Sequence, residues 1–166
     1  MRQRCVLALF MMLFAATTLP AQYLYNPGEK AHDFEGMTID GQAYHLFESP
    51  AERIILCFWS VDCDHCHDFL KKLRRRIDLK HDYELVTFAL ADSIEDVQRE
   101  VKKLRLPGWH FFDDGGWNGQ LFLEYDINTV PTVVLIDKDK NMVGEAYDWD
   151  EFKALIKENE KRKVKN

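Results

Sequence analysis

The sequence predicts an α/β sandwich built on a mixed sheet. Three observations point there. Near-continuous apolar runs from Arg53 to Trp59, Tyr83 to Ala91 and Val130 to Ile136 are too short for helices and suit strands covered on both faces. The stretches that follow the first two runs repeat apolar residues at helical spacing with charges between them. The chain then closes as strand, turn, strand and helix, which adds a hairpin to the alternation. With 166 residues, 46% hydrophobic and 30% charged, it fits one core and carries no repeat or low-complexity bias.

The elements follow in order. His32 to Leu46 reads as a hairpin extension, with Asp40-Gly41 supplying the positive φ angles of a two-residue turn between Met37-Thr38-Ile39 and Ala43-Tyr44-His45. Arg53 to Trp59 is the central strand and ends at the cysteines. From Asp64, residues Phe69, Leu70, Leu73 and Ile77 mark a helix to about Leu79, with Cys63 at its start. Tyr83 to Ala91 is a second buried strand, and Ser93 with Asp96 three residues on opens a second helix that stops before Pro107-Gly108. Trp109 to Phe112 is a short strand, Asp113 to Gly116 a turn, and Asn118 to Tyr125 a helix. Val130 to Ile136, headed by Pro131, pairs with Met142 to Ala146, and a last helix runs from Asp148 to about Lys161.

Residues 1–21 read as a secretory signal, with Arg2 and Arg4 as the basic start, an apolar stretch from Val6 to Ala16 and a cleavage site at Leu19-Pro20-Ala21. Thr17, Thr18 and Pro20 cut that stretch well short of the about 20 apolar residues that span a bilayer. The expectation is an exported, periplasmic protein, soluble after cleavage, whose single domain is residues 22–166. Losing Arg2 and Arg4 takes the formal charge from −6 to −8, which excludes nucleic acid as a natural partner. The basic run from Lys71 to Arg76 reads as the solvated face of a helix.

Cleavage also removes Cys5 and leaves Cys57, Cys63 and Cys66, too few and too odd a number for a disulfide scaffold. One C-x-x-C in an exported chain suggests a disulfide that is used. A thiol attacks only as thiolate, and Cys63 at a helix N-terminus receives unspent N–H groups and the positive end of the macrodipole. Cys66, one turn later, can attack the mixed disulfide that Cys63 forms. A zinc site would need a second ligand pair, which the remaining His and Cys residues do not provide at any such spacing. We expect no metal and no cofactor.

These motifs resemble the thioredoxin superfamily, and within it the exported TlpA/ResA-like thiol–disulfide oxidoreductases. The likeness rests on Ala31-His32-Asp33-Phe34 with Asp40-Gly41, on Phe58-Trp59-Ser60-Val61-Asp62-Cys63-Asp64-His65-Cys66, and on Tyr125-Asp126-Ile127 leading to Val130-Pro131-Thr132 and Leu135-Ile136-Asp137. It implies a three-layer thioredoxin-like sandwich with an N-terminal β-hairpin extension. It also implies a cis Pro131 shaping the substrate groove and Trp59 packed beside the cysteines. Implied partners are exported proteins with disulfides or thiols and a membrane-bound electron donor, with disulfide reduction as the working direction.

Three positions depart from the family pattern. The buried acid that serves the second cysteine in thioredoxins is replaced by Cys57, and its TlpA/ResA-like counterpart by Phe69, which leaves Asp68 as the nearest acid. Asp62 precedes the first cysteine and opposes thiolate formation, whereas His65, placed as in DsbA-type oxidases, favours it. His67 has no comparable rationale, and Cys57 reads as a buried, inert strand residue. Two other functions fit less well. A peroxiredoxin wants a proline at position 56, where the chain has Leu56, although Ser60 fits. A copper or other metal carrier would use Asp62, Cys63, His65, Cys66 and His67, but the cysteine spacing is too narrow.

Overall fold

A computed structural model describes residues 27–76 and 83–163. Seven strands and four α-helices follow in the order β1 (Glu35–Met37), β2 (Ala43–His45), β3 (Arg53–Ser60), α1 (Asp64–Arg76), β4 (Glu84–Leu90), α2 (Ile94–Leu104), β5 (Trp109–Phe112), α3 (Gln120–Glu124), β6 (Thr132–Asp137), β7 (Met142–Ala146) and α4 (Trp149–Lys163). The central sheet runs β5-β4-β3-β6-β7, with β3, β4 and β5 mutually parallel, β6 antiparallel to β3, and β7 antiparallel to β6. The mixed sheet and the hairpin extension are those the sequence predicts.

Period-two alternation on β3 divides the molecule. Ile55, Cys57 and Trp59 face a layer made by Phe69, Leu70 and Leu73 of α1, Val97 and Leu104 of α2, and Phe152 of α4. Ile54, Leu56 and Phe58 face the opposite layer, where the hairpin brings Tyr44 and Leu46 and α3 brings Leu121 and Phe122. All six strand residues are fully buried. A polar substitution in β3 would therefore meet apolar packing whichever way it points.

Several elements differ from expectation in local detail. The hairpin turn spans five residues and not two: only Gly41 takes a positive φ (+75°), while Thr38 N–H bonds the Gln42 carbonyl (2.8 Å). Buried Ile39 is the reason, since its N–H bonds the His110 carbonyl (2.8 Å) and pulls the turn onto β5. The helix expected from Asn118 to Tyr125 is a 3₁₀ turn at Gly116–Asn118 followed by the short α3. Strand β6 begins at Thr132, after the proline, as a residue without an N–H dictates. The predicted signal, Cys5 and the end of the α1 helix beyond Arg76 lie outside the described residues. Gly108 is required where it stands: its φ is +103°, and a Cβ there would meet the Leu85 carbonyl oxygen at 2.1 Å.

Candidate active site

The cysteines sit where a strand becomes a helix. After β3 a short turn is tied down by Val61 N–H to the Leu90 carbonyl (3.0 Å) and by Cys63 N–H to the Ser60 carbonyl (3.3 Å). Asp62 N–H bonds Ser60 Oγ (3.2 Å). Cys63 thus stands immediately before the first residue of α1, where backbone N–H groups have no helical partner. One of them, Cys66 N–H, points at Cys63 Sγ (3.1 Å). The two cysteines are joined in a disulfide with Cα atoms 5.2 Å apart. Cys63 is half-buried and Cys66 wholly buried.

The Val130–Pro131 bond is cis, and the Val130 carbonyl oxygen lies 3.9 Å from Cys63 Sγ. Beside it opens a groove of about 420 Å³, walled by His65 and Phe69 of α1, by Val130 and Pro131, and by Tyr147 and Trp149 from the β7–α4 corner. Tyr147 is held in place: its hydroxyl donates to Glu145 (2.7 Å) and its backbone N–H to Glu151 (2.9 Å). Burial pushes the Glu145 carboxyl above the usual carboxylate range. Trp149 meets Phe69 edge-on at 5.6 Å.

Behind the disulfide, Trp59 is fully buried in the same cluster as Cys66, and its indole Nε1 finds no hydrogen-bond partner. Cys57 is also fully buried, and desolvation alone pushes its thiol up to about 12. Such a thiol takes no part in exchange near neutral pH. Among the described residues no group of three His, Cys, Asp or Glu side chains is arranged to hold a metal ion.

A family model described as thioredoxin-like matches residues 52–142, from the head of the central strand to the start of β7. The chain belongs to the thioredoxin-like family. A sequence search of curated proteins returns no significant match. Among solved structures, this thioredoxin-like chain is similar to the thioredoxin domain of a thiol-disulfide oxidoreductase from Bacteroides vulgatus (TM-score 0.70, 14% identity, covering 81% of this chain and 97% of that one). It is also similar to a thiol-disulfide oxidoreductase from Bacteroides fragilis (TM-score 0.68, 19% identity, 78% and 98%). A third likeness is to a secreted Mycobacterium tuberculosis disulfide oxidoreductase homologous to E. coli DsbE (TM-score 0.62, 18% identity, 74% and 93%). At these identities the likeness is one of fold.

The thioredoxin-like frame brings Cys63, Cys66, Pro131 and Trp59 together, with His65 exposed on the groove wall. Asp68, the nearest acid by sequence, lines the same groove, but its side chain is 68% exposed and paired with Lys71 (3.2 Å), while Cys66 is sealed inside. Two features escaped the sequence reading. The groove wall of Tyr147 and Trp149 depends on a distant corner that no local motif announces. The other is His67, whose mostly buried side chain (16% exposed) places Nε2 3.7 Å from Glu100 Oε2 of α2. A signal existed for Glu100, because Val97, Val101 and Leu104 form the apolar stripe of α2 and Glu100 falls on that stripe, three residues from Val97 and four from Leu104.

Proposed function

We propose that this chain is an exported thiol–disulfide oxidoreductase in which Cys63 attacks and Cys66 resolves, working as a disulfide reductase. The observation that carries the reading is the asymmetry of the pair: a half-exposed Cys63 at a helix N-terminus, its sulfur beside the carbonyl of the cis Val130–Pro131 bond, with a sealed Cys66 behind it. In the reduced pair the Cys66 N–H and the start of α1 favour thiolate at Cys63, a helix end being worth about 0.3–1 kcal/mol to an anion, and up to about 2 when partly buried. The Cys63 thiolate displaces one sulfur of a substrate disulfide lying along the groove, and Cys66 then displaces the other. Both substrate sulfurs leave as thiols, and the chain keeps the disulfide.

Residues 1–21 would direct export and residues 22–166 form the working domain, re-reduced by a membrane-bound donor of dithiol character. The exposed charges of Asp62 and His65 oppose each other, and exposed pairs contribute roughly 0.2–1 kcal/mol. At about 30 mV per about 1.4 kcal/mol, they move the potential by only tens of millivolts. The couple should lie between thioredoxin (about −270 mV) and DsbA (about −120 mV), nearer the former.

The test has two arms. Cys66→Ser, expressed with the native N-terminus, should accumulate mixed disulfides between Cys63 and exported proteins that carry disulfides. A glutathione titration of the isolated couple should give a reducing potential. A potential as oxidising as that of DsbA, with disulfides inserted into reduced substrates faster than removed, sinks the reductase direction.

A further inference from the structure

Resolution requires that Cys66 lose its proton inside a sealed layer, and the two positions where the family places an acid for this are Cys57 and Phe69. Neither serves: the Cys57 thiol stays protonated until about pH 12, and Phe69 carries no proton-accepting group. Glu100 is the only buried carboxylate-bearing residue among those described. It sits on the apolar stripe of α2, where a charge costs stability unless it is paired. Lys103 Nζ, at the rim, donates to both of its oxygens (3.1 and 3.0 Å). Its inner neighbour is the imidazole of His67, the residue next to Cys66, reaching across from α1. The His67 ring stands 6.1 Å from that of Trp59, which packs in the cluster that holds Cys66. His67 Nε2 is buried, faces the Glu100 carboxylate and makes no hydrogen bond at this distance.

We propose that the His67–Glu100 pair, spanning α1 and α2, holds the proton that Cys66 gives up. Resting on the reading of Cys63 and Cys66 as attacking and resolving thiols, this names the acceptor that reading lacks. Imidazole is the ordinary side chain that takes up and returns a proton between about pH 5 and 8. In the mixed-disulfide state the Cys66 S–H bond breaks and its proton passes to His67. The Cys66 thiolate attacks Cys63 Sγ, and the bond from Cys63 to the substrate sulfur breaks. The leaving sulfur carries the electron pair away as thiolate and collects a proton from His67 or water. Glu100 stabilises the imidazolium in between, closing a gap that stands at 3.7 Å in the oxidised state. The groups facing His67 are few: Glu100, with Lys103 behind it, from α2; the uncharged Trp59 ring from β3; and, by helical spacing, Asp64 and Lys71 one turn away on α1.

Ellman's reagent separates the two steps without a natural substrate. Its first thionitrobenzoate leaves when Cys63 of the reduced protein attacks; its second leaves when Cys66 resolves. General-base assistance is worth about 10²–10⁴-fold, so His67→Gln should slow the second release at pH 7 at least about tenfold. The first release should stay within about twofold. Glu100→Gln should act in the same direction more weakly, and decides the matter should His67→Gln fail to fold. Wild-type second release in the folded variants from pH 6 to 8 overturns the proposal, as does an equal slowing of both releases. A wild-type chain that never gives the second release overturns the role of Cys66 itself, and the acceptor with it. Retained fast resolution alongside failure to reduce any protein disulfide touches only the proposed function.

Discussion

The two faces of β3 are built from the same strand to opposite ends. On the hairpin side, Phe58 packs among Phe88, Phe122 and Tyr125 with ring centroids 5.1–5.7 Å apart, and Phe88 stacks on Phe111 at 4.9 Å. Polar groups at its margin are satisfied there: Glu84 accepts from Tyr44 (2.8 Å), Ser49 (2.7 Å) and Trp109 (3.0 Å), stitching hairpin, loop and β5 to β4. On the helix side, the same registers carry Cys57, Thr87 and His110 in a row across β3, β4 and β5, with Trp59 one step up. That layer holds the buried Nε1 of Trp59 and Nε2 of His67, neither of which is hydrogen-bonded. One face is packed with aromatic rings, and the other holds buried polar atoms in the layer of the disulfide. Unsatisfied buried groups are costly, and two of them stand in the layer that holds the disulfide.

The largest effect that could break this contrast belongs to the aromatic face. Phe58→Ala should cost about 3–5 kcal/mol in chemical denaturation, yet leave the thiol exchange rate per folded molecule within about twofold. Exchange lost in step with stability would show that the faces are not separable.

Next in size is the acid limb of stability. Burial holds the His110 imidazole below its ordinary pKa, with Thr87 Oγ1 at 2.9 Å from Nδ1. The folded state therefore keeps His110 neutral while the unfolded chain binds a proton below about pH 6.5. Stability contributed by neutral His110 is complete above that range and declines as pH falls through it. Thermal melts from pH 7 to 5 should show a shallower loss in His110→Gln than in the wild type; equal slopes would remove His110 from the account.

The smallest effect lies at the exposed rim. His65→Pro, at the second residue of α1 where proline is tolerated, should make the couple more reducing by no more than a few tens of millivolts in a glutathione titration. A shift beyond about 60 mV would mean that the rim sets the potential, and not the helix terminus and the buried layer.

The central elements were legible because their signals are local. The run from Arg53 to Trp59 can only be buried on both faces, and Ser93 caps α2 as its spacing demands, its Oγ accepting from Asp96 N–H (3.2 Å). Cys63, Cys66 and Pro131 could be read from the motif blocks in which they stand. His67 and Glu100 could not, because they are 33 positions apart and meet only when α1 and α2 pack over the sheet. The hairpin turn was misjudged for a similar reason: Asp40-Gly41 has the composition of a tight turn, but the distant carbonyl of His110 captures the backbone of Ile39.

Cys57 has a consequence for the life of the chain after folding fails. While the sheet is intact, its fully buried thiol is chemically silent. An unfolded chain, in contrast, offers three sulfurs within ten residues, and in an oxidising compartment Cys57 can be trapped with either member of the pair. A bridge from Cys57 would lock the end of β3 in a loop incompatible with its pairing to β4 and β6, so the chain could not return until that bridge is exchanged. Survival in such a compartment is then governed by the rate of unfolding more than by the equilibrium, and the tightly packed aromatic face acts as a kinetic guard on the redox face it never touches.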